Sequence, residues 1–329
     1  MTRQRVLCSA ALPGGALERL AAAHDVTVGE PPTGLGRDAI AARIAPFDAL
    51  LTLLSDRVDA ELLAGAPRLR VIANYAVGTD NLDLEACAAR GVTVTNTPGV
   101  LTDATADLAL ALMLDACRRV SESDRLARAG AWRGWAPGEM LGVRATGATL
   151  GLVGFGRIGQ AVARRARGFD MRVMYCQRRR ADPAVERAYE ATFAPLDELL
   201  AASDIVSLHC PLTPETRGLL SRERLARMKR GSVLVNTARG ACVDARALAE
   251  AVRSGHLAGA GLDVYTAEPA IEPELRAEPR IVLSTHIGSA DGPTRAKMAD
   301  MCVDALLAAL GGGDVPHRVG PLPSPSPPG

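Results

Sequence analysis

The stretch TLGLVGFGRIGQAVARRA, residues 149–166, decides the fold. Thr149 to Val153 is a short apolar run of the kind buried on both faces in a parallel sheet. Gly154, Phe155, Gly156, Arg157, Ile158 and Gly159 follow at once, and Gln160 to Arg167 then reads as a helix. Each glycine has a separate physical task in this order of strand, GxGxxG and helix. Gly154 makes the tight turn, Gly156 lets the main chain approach a pyrophosphate, and Gly159 lets helix and strand pack closely. Free N–H groups at the helix start, with the helix dipole behind them, hold the anion. The plainer alternative is a βα turn that merely tolerates glycine.

Around this turn two βα series can be read. The one that contains it runs from about Ala148 to His286, with strands expected at Thr149–Val153, Arg172–Cys176, Asp204–His209, Ser232–Asn236, Gly259–Val264 and Ile281–Ser284. Helical segments separate most of them, which calls for a parallel sheet covered on both faces. The other covers roughly the first 95 residues, with apolar runs at Val6–Cys8, Ala49–Leu53, Val71–Ala73 and Val92–Thr95. Between the series, Thr102 to Cys117 reads as a helix apolar nearly all round, as expected of one buried between domains. A final helix, about Gly292–Leu310, is placed to pack back on the first domain. The tail from Gly311, ending PLPSPSPPG, is expected to be disordered.

Composition narrows the function. The 329 residues suit two domains, and 48% hydrophobic with 23% charged residues suits a globular chain. Lys and Arg total 38 against 37 Asp and Glu, so no basic field invites nucleic acid or an anionic membrane. No apolar run reaches the ~20 residues of a membrane helix, and Pro13-Gly14-Gly15 interrupts the start before a secretory core; a cytoplasmic location is the expectation. Seven cysteines stand singly and five histidines lack metal spacing, so neither a disulfide framework nor a metal site is expected.

A carboxylate after the second strand of a dinucleotide fold bonds the ribose 2′-OH of NAD. That position holds Gln177, followed by Arg178, Arg179 and Arg180, which favours NADPH, with NADH still possible. A solvated arginine loop is the alternative. Three ionisable residues lie at or beyond strand ends: Arg239 in NTARG, Glu268 in DVYTAEP and His286 in STHIGSA. Reducing a 2-oxo acid needs a cation for its carboxylate, a general acid for the developing alkoxide, and a group that keeps that acid charged. Arg, His and Glu supply these in turn, although Arg–Glu pairs are often structural. His209, at a strand end, reads as a hydrogen-bonded structural histidine.

With these residues stand NYAVGTDN (Asn74 to Asn81), NTPGVLTDATADLALALML (Asn96 to Leu114), HCPLTPETRGLL (His209 to Leu220), GAGLDVYTAEP (Gly259 to Pro269) and HIGSA (His286 to Ala290). Together they resemble the D-isomer-specific 2-hydroxyacid dehydrogenase family, and within it most nearly the glyoxylate/hydroxypyruvate reductases. The resemblance implies a flavodoxin-like substrate domain of residues 1–99 and 287–315, an inserted Rossmann-type domain of 100–286 with a dimer arm, and a tail of 316–329. It implies that Arg239 binds substrate, Glu268 pairs with the histidine and His286 donates the proton. Val77 and Gly78 would offer N–H groups to the substrate carboxylate. Asp263 would sit near the nicotinamide carboxamide, Pro211 and Thr216 by the adenosine half, Thr237 and Ala238 by the nicotinamide, and Gly288 within the cofactor site. A homodimer is implied, with Trp132 and Trp135 in the arm.

Two departures stand out: Thr285 replaces the usual Pro before the histidine, and the arm segment Ala131 to Gly142 is short, similar to that of phosphite dehydrogenase. That enzyme has Lys where Val77 stands, and a doubly charged inorganic anion would want that ammonium. A dinucleotide-sensing, corepressor-like binding protein is the reading from another class, and a turnover assay separates it from an enzyme.

Overall fold

The computed structural model describes residues 2–30 and 33–321. The chain forms two compact units, one of Met1–Leu101 with the chain from Ser289 on, the other of Thr102–Gly288. The divisions thus fall at 101 and 288 rather than at 99 and 286.

The first unit runs β1 (Arg5–Cys8), α1 (Ala16–Ala23), β2 (Asp25–Val28), α2 (Gly36–Ala41), β3 (Ala49–Leu53), α3 (Ala60–Ala64), β4 (Val71–Tyr75), α4 (Leu84–Ala89) and β5 (Thr93–Thr95). The second contains α5 (Thr102–Arg118), α6 (Val120–Arg128), β6 (Thr149–Val153), α7 (Arg157–Ala166), β7 (Arg172–Cys176), α8 (Pro183–Tyr189), β8 (Ala191–Phe193) and α9 (Leu196–Ala202). It continues with β9 (Ile205–Leu208), α10 (Arg222–Arg227), β10 (Ser232–Asn236), α11 (Ala245–Arg253), β11 (Leu257–Leu262), α12 (Pro273–Arg276) and β12 (Ile281–Leu283). The chain then returns to the first unit as α13 (Gly292–Leu310) and β13 (Arg318–Val319).

In the first unit the strand order is β13-β5-β4-β3-β1-β2, parallel throughout except for β13 on β5. Without that edge strand this is the flavodoxin-like order. Strand alternation divides the core between two faces. Val6 and Cys8 pack with Leu20 of α1 and Met298, Val303 and Leu306 of α13, while Leu7 packs with Ile40, Leu62 and Ile72 on the other side. Asp59, Asp83 and Asp291 cap α3, α4 and α13 by accepting the N–H three residues on, worth about 1 kcal/mol each.

β13 corrects the expected tail. Residues 316–321 are described, the Asn96 N–H donates to the His317 carbonyl at 3.2 Å, and Val319 packs on the core beneath β5. A low-apolar composition hid this because one valine and a short run of backbone bonds suffice to hold a sheet edge. Residues 322–329 of the expected tail lie outside the described residues.

The second unit's sheet, β12-β11-β10-β9-β6-β7-β8, is parallel throughout. This is the doubly wound dinucleotide-binding order, and it reverses direction between β6 and β9. Leu150, Leu152, Val233 and Val235 face α5 and α7; Leu200, Leu234, Leu248 and Val252 form the opposite core with α9 and α11. Helix α5 lies on α7, β10 and β11 of its own unit, with Ala106, Ala109, Leu112 and Met113 buried and Ala111 exposed. Ligands of such sheets gather at the carboxyl ends of the strands flanking the reversal, here the residues after Val153 and Leu208.

Candidate active site

The glycine turn leaves β6 with Gly154 at φ +98°, a conformation that a side chain disfavours. A Cβ on Gly154 would come within 2.7 Å of the His209 carbonyl, and one on Gly159 within 2.3 Å of the Gly154 carbonyl oxygen. Gly156 is different: its Cβ would meet nothing within 4 Å, and Gly156 is exposed. Two glycines therefore serve packing and the middle one keeps a cradle open. Gly156 caps α7 with no side-chain hydrogen bond, and the first turn carries no acidic residue. The first N–H groups of the helix, those of Arg157 and Ile158 included, have no intrahelical acceptor. An anionic pyrophosphate fits this cradle.

Supports hold the turn in shape. Phe155 is buried and stacks on Tyr175 at 4.3 Å, and its N–H donates to Gln177 Oε1 at 3.2 Å. Gln177 thus braces the turn from the end of β7. Arg178 and Arg179 are exposed and make no hydrogen bond or salt bridge among the described residues. Arg180 instead grips Glu186 through two bonds of 2.8 and 2.9 Å and lies over the Phe193 ring, so it is committed to the fold. The expectation of three arginines open to a phosphate narrows to two.

Thr216 Oγ1 donates to the Pro211 carbonyl at 2.7 Å, closing the loop after β9. His209 Nε2 meets Ser207 Oγ at 2.9 Å and Nδ1 lies 3.5 Å from Thr237 Oγ1. Burial of this ring pushes its pKa down to about 4, so it is neutral near pH 7. The structural reading of His209 holds, and it links the ends of β9 and β10. Ala238 is buried, its N–H donating to Asn236 Oδ1 at 3.0 Å.

The three candidate residues follow three neighbouring strands of one sheet. Arg239 follows β10, Glu268 follows β11 and His286 follows β12. His286 Nδ1 lies 2.6 Å from Glu268 Oε2, and Glu268 Oε1 accepts the Tyr265 N–H at 2.9 Å. The backbone thereby aims the carboxylate at the imidazole. Burial raises the Glu268 pKa; the hydrogen bond and charge of His286, the Tyr265 N–H and the Arg239 charge outweigh it and hold it below the ordinary value. Arg239 Nη1 donates to the Ala238 carbonyl at 2.8 Å. A Cβ on Gly240 would sit 2.0 Å from the Tyr265 carbonyl carbon, so only glycine lets the Arg239 and Glu268 segments press together. The side chains of His286 and Glu268 are 26% and 27% exposed, open enough for a reactant to reach. With Nδ1 engaged, Nε2 is the ring nitrogen left for chemistry.

His286 has φ +55°, and Asp263 explains how that conformation persists. Asp263 is 1% exposed; its carboxylate accepts from Ser284 Oγ at 2.7 Å, Ile287 N at 2.8 Å and Gly288 N at 2.9 Å. Its carbonyl accepts the His286 N–H at 3.0 Å. Thr105 Oγ1 donates to the Gly288 carbonyl at 3.1 Å, and a Cβ on Gly288 would crowd Asp263 at 3.3 Å. Asp263 therefore clamps the histidine loop from both sides, and Thr285 needs no proline to fix it. Ser284 and Tyr265, whose hydroxyl donates to the Ser284 carbonyl at 2.6 Å, are supports that sequence reading passed over. Serine and tyrosine near a strand end give no periodic signal.

Val77 and Gly78 belong to the first unit. The Val77 carbonyl accepts from Asn96 Nδ2 at 2.8 Å and the Gly78 carbonyl from Asn74 Nδ2 at 2.9 Å. Their own N–H groups have no acceptor among the described residues.

A doubly wound sheet with an open glycine cradle and a carboxylate-paired imidazole past its strand ends has the architecture of NAD(P)-dependent dehydrogenases. Similarity to known proteins points the same way: residues 110–288 match the family described as D-isomer specific 2-hydroxyacid dehydrogenase, NAD binding domain. The glyoxylate reductase of Thermococcus kodakarensis is 46% identical over 318 residues, 95% of each chain. A solved glyoxylate reductase from Paecilomyes thermophila is 34% identical with a TM-score of 0.86, covering 97% of this chain and 99% of its own. The NADPH-dependent glyoxylate/hydroxypyruvate reductase of Sinorhizobium meliloti, solved with NADP and malonate, is 32% identical with a TM-score of 0.86 over 98% of each chain. The chain belongs to the D-isomer specific 2-hydroxyacid dehydrogenase family and is a nicotinamide-dependent dehydrogenase.

Proposed function

We propose that this protein reduces small 2-oxo acids of the glyoxylate and hydroxypyruvate type to D-2-hydroxy acids with NADPH, His286 donating the proton. The observation that carries this reading is the 2.6 Å bond between His286 and Glu268 beside Arg239. Arg239 holds the substrate carboxylate, helped by the free N–H groups of Val77 and Gly78. A bound reduced nicotinamide supplies the hydride. His286 gives a proton from Nε2 to the ketone oxygen as negative charge grows there. Glu268, ionised and held at Nδ1, stabilises the charged imidazole before transfer and fixes the ring's orientation. Asp263 keeps the histidine loop in place.

Selection of NADPH rests on Gln177, which offers no carboxylate to repel a 2′-phosphate, and on Arg178 and Arg179, exposed beside it. A homodimer in the cytoplasm completes the reading. Support for the dimer is the exposure of Val120, Leu126, Trp132, Trp135 and Leu141 on α6 and the segment after it.

Steady-state kinetics over a panel of 2-oxo acids with both reduced cofactors test this. Glyoxylate or hydroxypyruvate with NADPH is expected to give the highest kcat/KM, at least about tenfold above NADH. A preference for NADH defeats the cofactor assignment; no reduction of any 2-oxo acid defeats the whole reading.

A further inference from the structure

Three successive carbonyls in the turn after β4 are held from within the first unit. The Ala76 carbonyl accepts the Thr97 N–H at 3.0 Å, the Val77 carbonyl accepts Asn96 Nδ2 at 2.8 Å, and the Gly78 carbonyl accepts Asn74 Nδ2 at 2.9 Å. The peptides joining residues 76 to 78 are trans, and a trans peptide points its N–H opposite to its carbonyl. The Thr97 bond therefore fixes the direction of the Val77 N–H, and the Asn96 bond fixes that of the Gly78 N–H. Both donors belong to the two residues that follow β5, the strand paired with β4. Thr97 and Asn74 are buried, whereas residues 77–79 are only half-buried and stay within reach of a ligand.

The two asparagines differ in what else they do. Asn74 belongs to a satisfied network: its Oδ1 accepts from Thr52 Oγ1 at 2.9 Å and from Asn81 Nδ2 at 3.2 Å, and its Nδ2 also reaches Asn81 Oδ1 at 3.2 Å. Asn81 Nδ2 in turn donates to the Leu53 and Asp56 carbonyls at 3.2 and 3.0 Å. Those bonds hold the fold together. The Asn96 main chain is tied to β13, its N–H donating to the His317 carbonyl at 3.2 Å, but its side chain bonds Val77 alone. Asn96 Oδ1 is buried without a hydrogen-bond partner among the described residues. A stranded acceptor opposes folding by about as much as one made bond favours it. The amide therefore serves the direction of the Val77–Gly78 peptide more than it serves stability.

We propose that Asn96 is a positioning residue for substrate binding: by gripping the Val77 carbonyl it aims the Gly78 N–H, beside the Val77 N–H, at the carboxylate of the 2-oxo acid. This rests on the proposed reaction, in which those two N–H groups hold that carboxylate. Without the amide, the peptide has a glycine on one side and no hold on its carbonyl, so it can turn its N–H away. The carboxylate is bound alike in substrate and transition state, so the loss falls on binding and leaves the chemical step intact.

Asn96→Ala is expected to raise KM for glyoxylate about tenfold at nearly constant kcat, with the Kd for NADPH unchanged. Asn96→Ser keeps a hydroxyl at this half-buried position but is too short to reach the Val77 carbonyl; it should behave alike and guards against a first variant that fails to fold. A fall in kcat at constant KM, the mark of a merely structural role, or a KM equal to the parent's would overturn the proposal. Oxamate, a carboxylate that is not reduced, gives a readout without turnover: its Kd for the NADPH complex should rise by a similar factor in both variants, and an unchanged Kd would defeat the assignment of Asn96. A parent that binds no oxamate removes the proposed reaction and this inference together. Measurements on the parent thus test the reaction and the difference between parent and variant tests Asn96, so the two failures are distinguishable.

Discussion

His286 sits in the left-handed region, where a side chain other than glycine needs outside support. The bonds from Ser284, Ile287 and Gly288 to Asp263 supply it. Replacing His286 with Asn is expected to leave the loop's backbone bonds intact and to remove the proposed proton donor. Turnover should fall by about 10²–10⁴-fold while the Kd for NADPH changes little; normal turnover would show that the proton comes from elsewhere. Glu268 is expected to set the acid limit of the proposed reaction. Its pKa is depressed in the folded protein, so the stabilisation from its pairing is present above the unfolded value and is lost as pH falls through the folded one. The acid limb of kcat/KM is therefore expected below the ordinary glutamate range, and Glu268→Gln should remove that limb while lowering kcat; an unchanged profile in the variant counts against the pairing. Arg239, Glu268 and His286 were legible because each follows an apolar run at a strand end. The clamp by Asp263 was not, since its partners lie more than 20 residues on in sequence and meet it only across adjacent loops.

At the scale of the element, the glycine turn divides into separable functions. Gly159→Ala drives a Cβ to 2.3 Å from the Gly154 carbonyl oxygen, so α7 must shift from β6, at a cost of about 1–3 kcal/mol. Gly156→Ala has room on the protein side and an ordinary φ of −76°. It should leave the Tm nearly unchanged yet weaken NADPH binding severalfold, because the new methyl occupies the cradle. Thermal melts paired with cofactor titration distinguish the two; equal loss of stability in both would refute the division. The strands β3, β6, β7 and β10 keep the limits read from sequence, since mostly buried runs bounded by turns leave little latitude. β2 and β8 were missed. β2 is largely exposed and β8 spans only Ala191–Phe193, so neither shows an apolar run, and pairing with β1 and β7 is what makes them strands.

For the whole molecule, five of the eight exposed large hydrophobic residues among the described residues lie on α6 and the following segment, with Trp132 70% and Trp135 84% exposed. Covering them in a homodimer predicts twice the chain mass by light scattering. A double variant, Trp135→Glu with Leu141→Glu, is expected to be monomeric; a monomeric parent protein would remove the basis for the arm. The division into two units was legible because two βα series flank a distinct helix, and each series needs its own sheet. The point where β13 rejoins the first sheet was not, because Arg318 and Val319 carry no pattern until β5 presents its free edge.

Local sequence, read for period and turn chemistry, determined the doubly wound architecture, the glycine cradle and the identity of the three ionisable groups, because backbone geometry and strand ends follow from neighbours in the chain. Tertiary structure alone decided that Asp263 clamps the histidine loop and that His209 links the ends of β9 and β10. Those outcomes depend on distances between segments far apart in sequence, which are set by how parallel strands stack side by side.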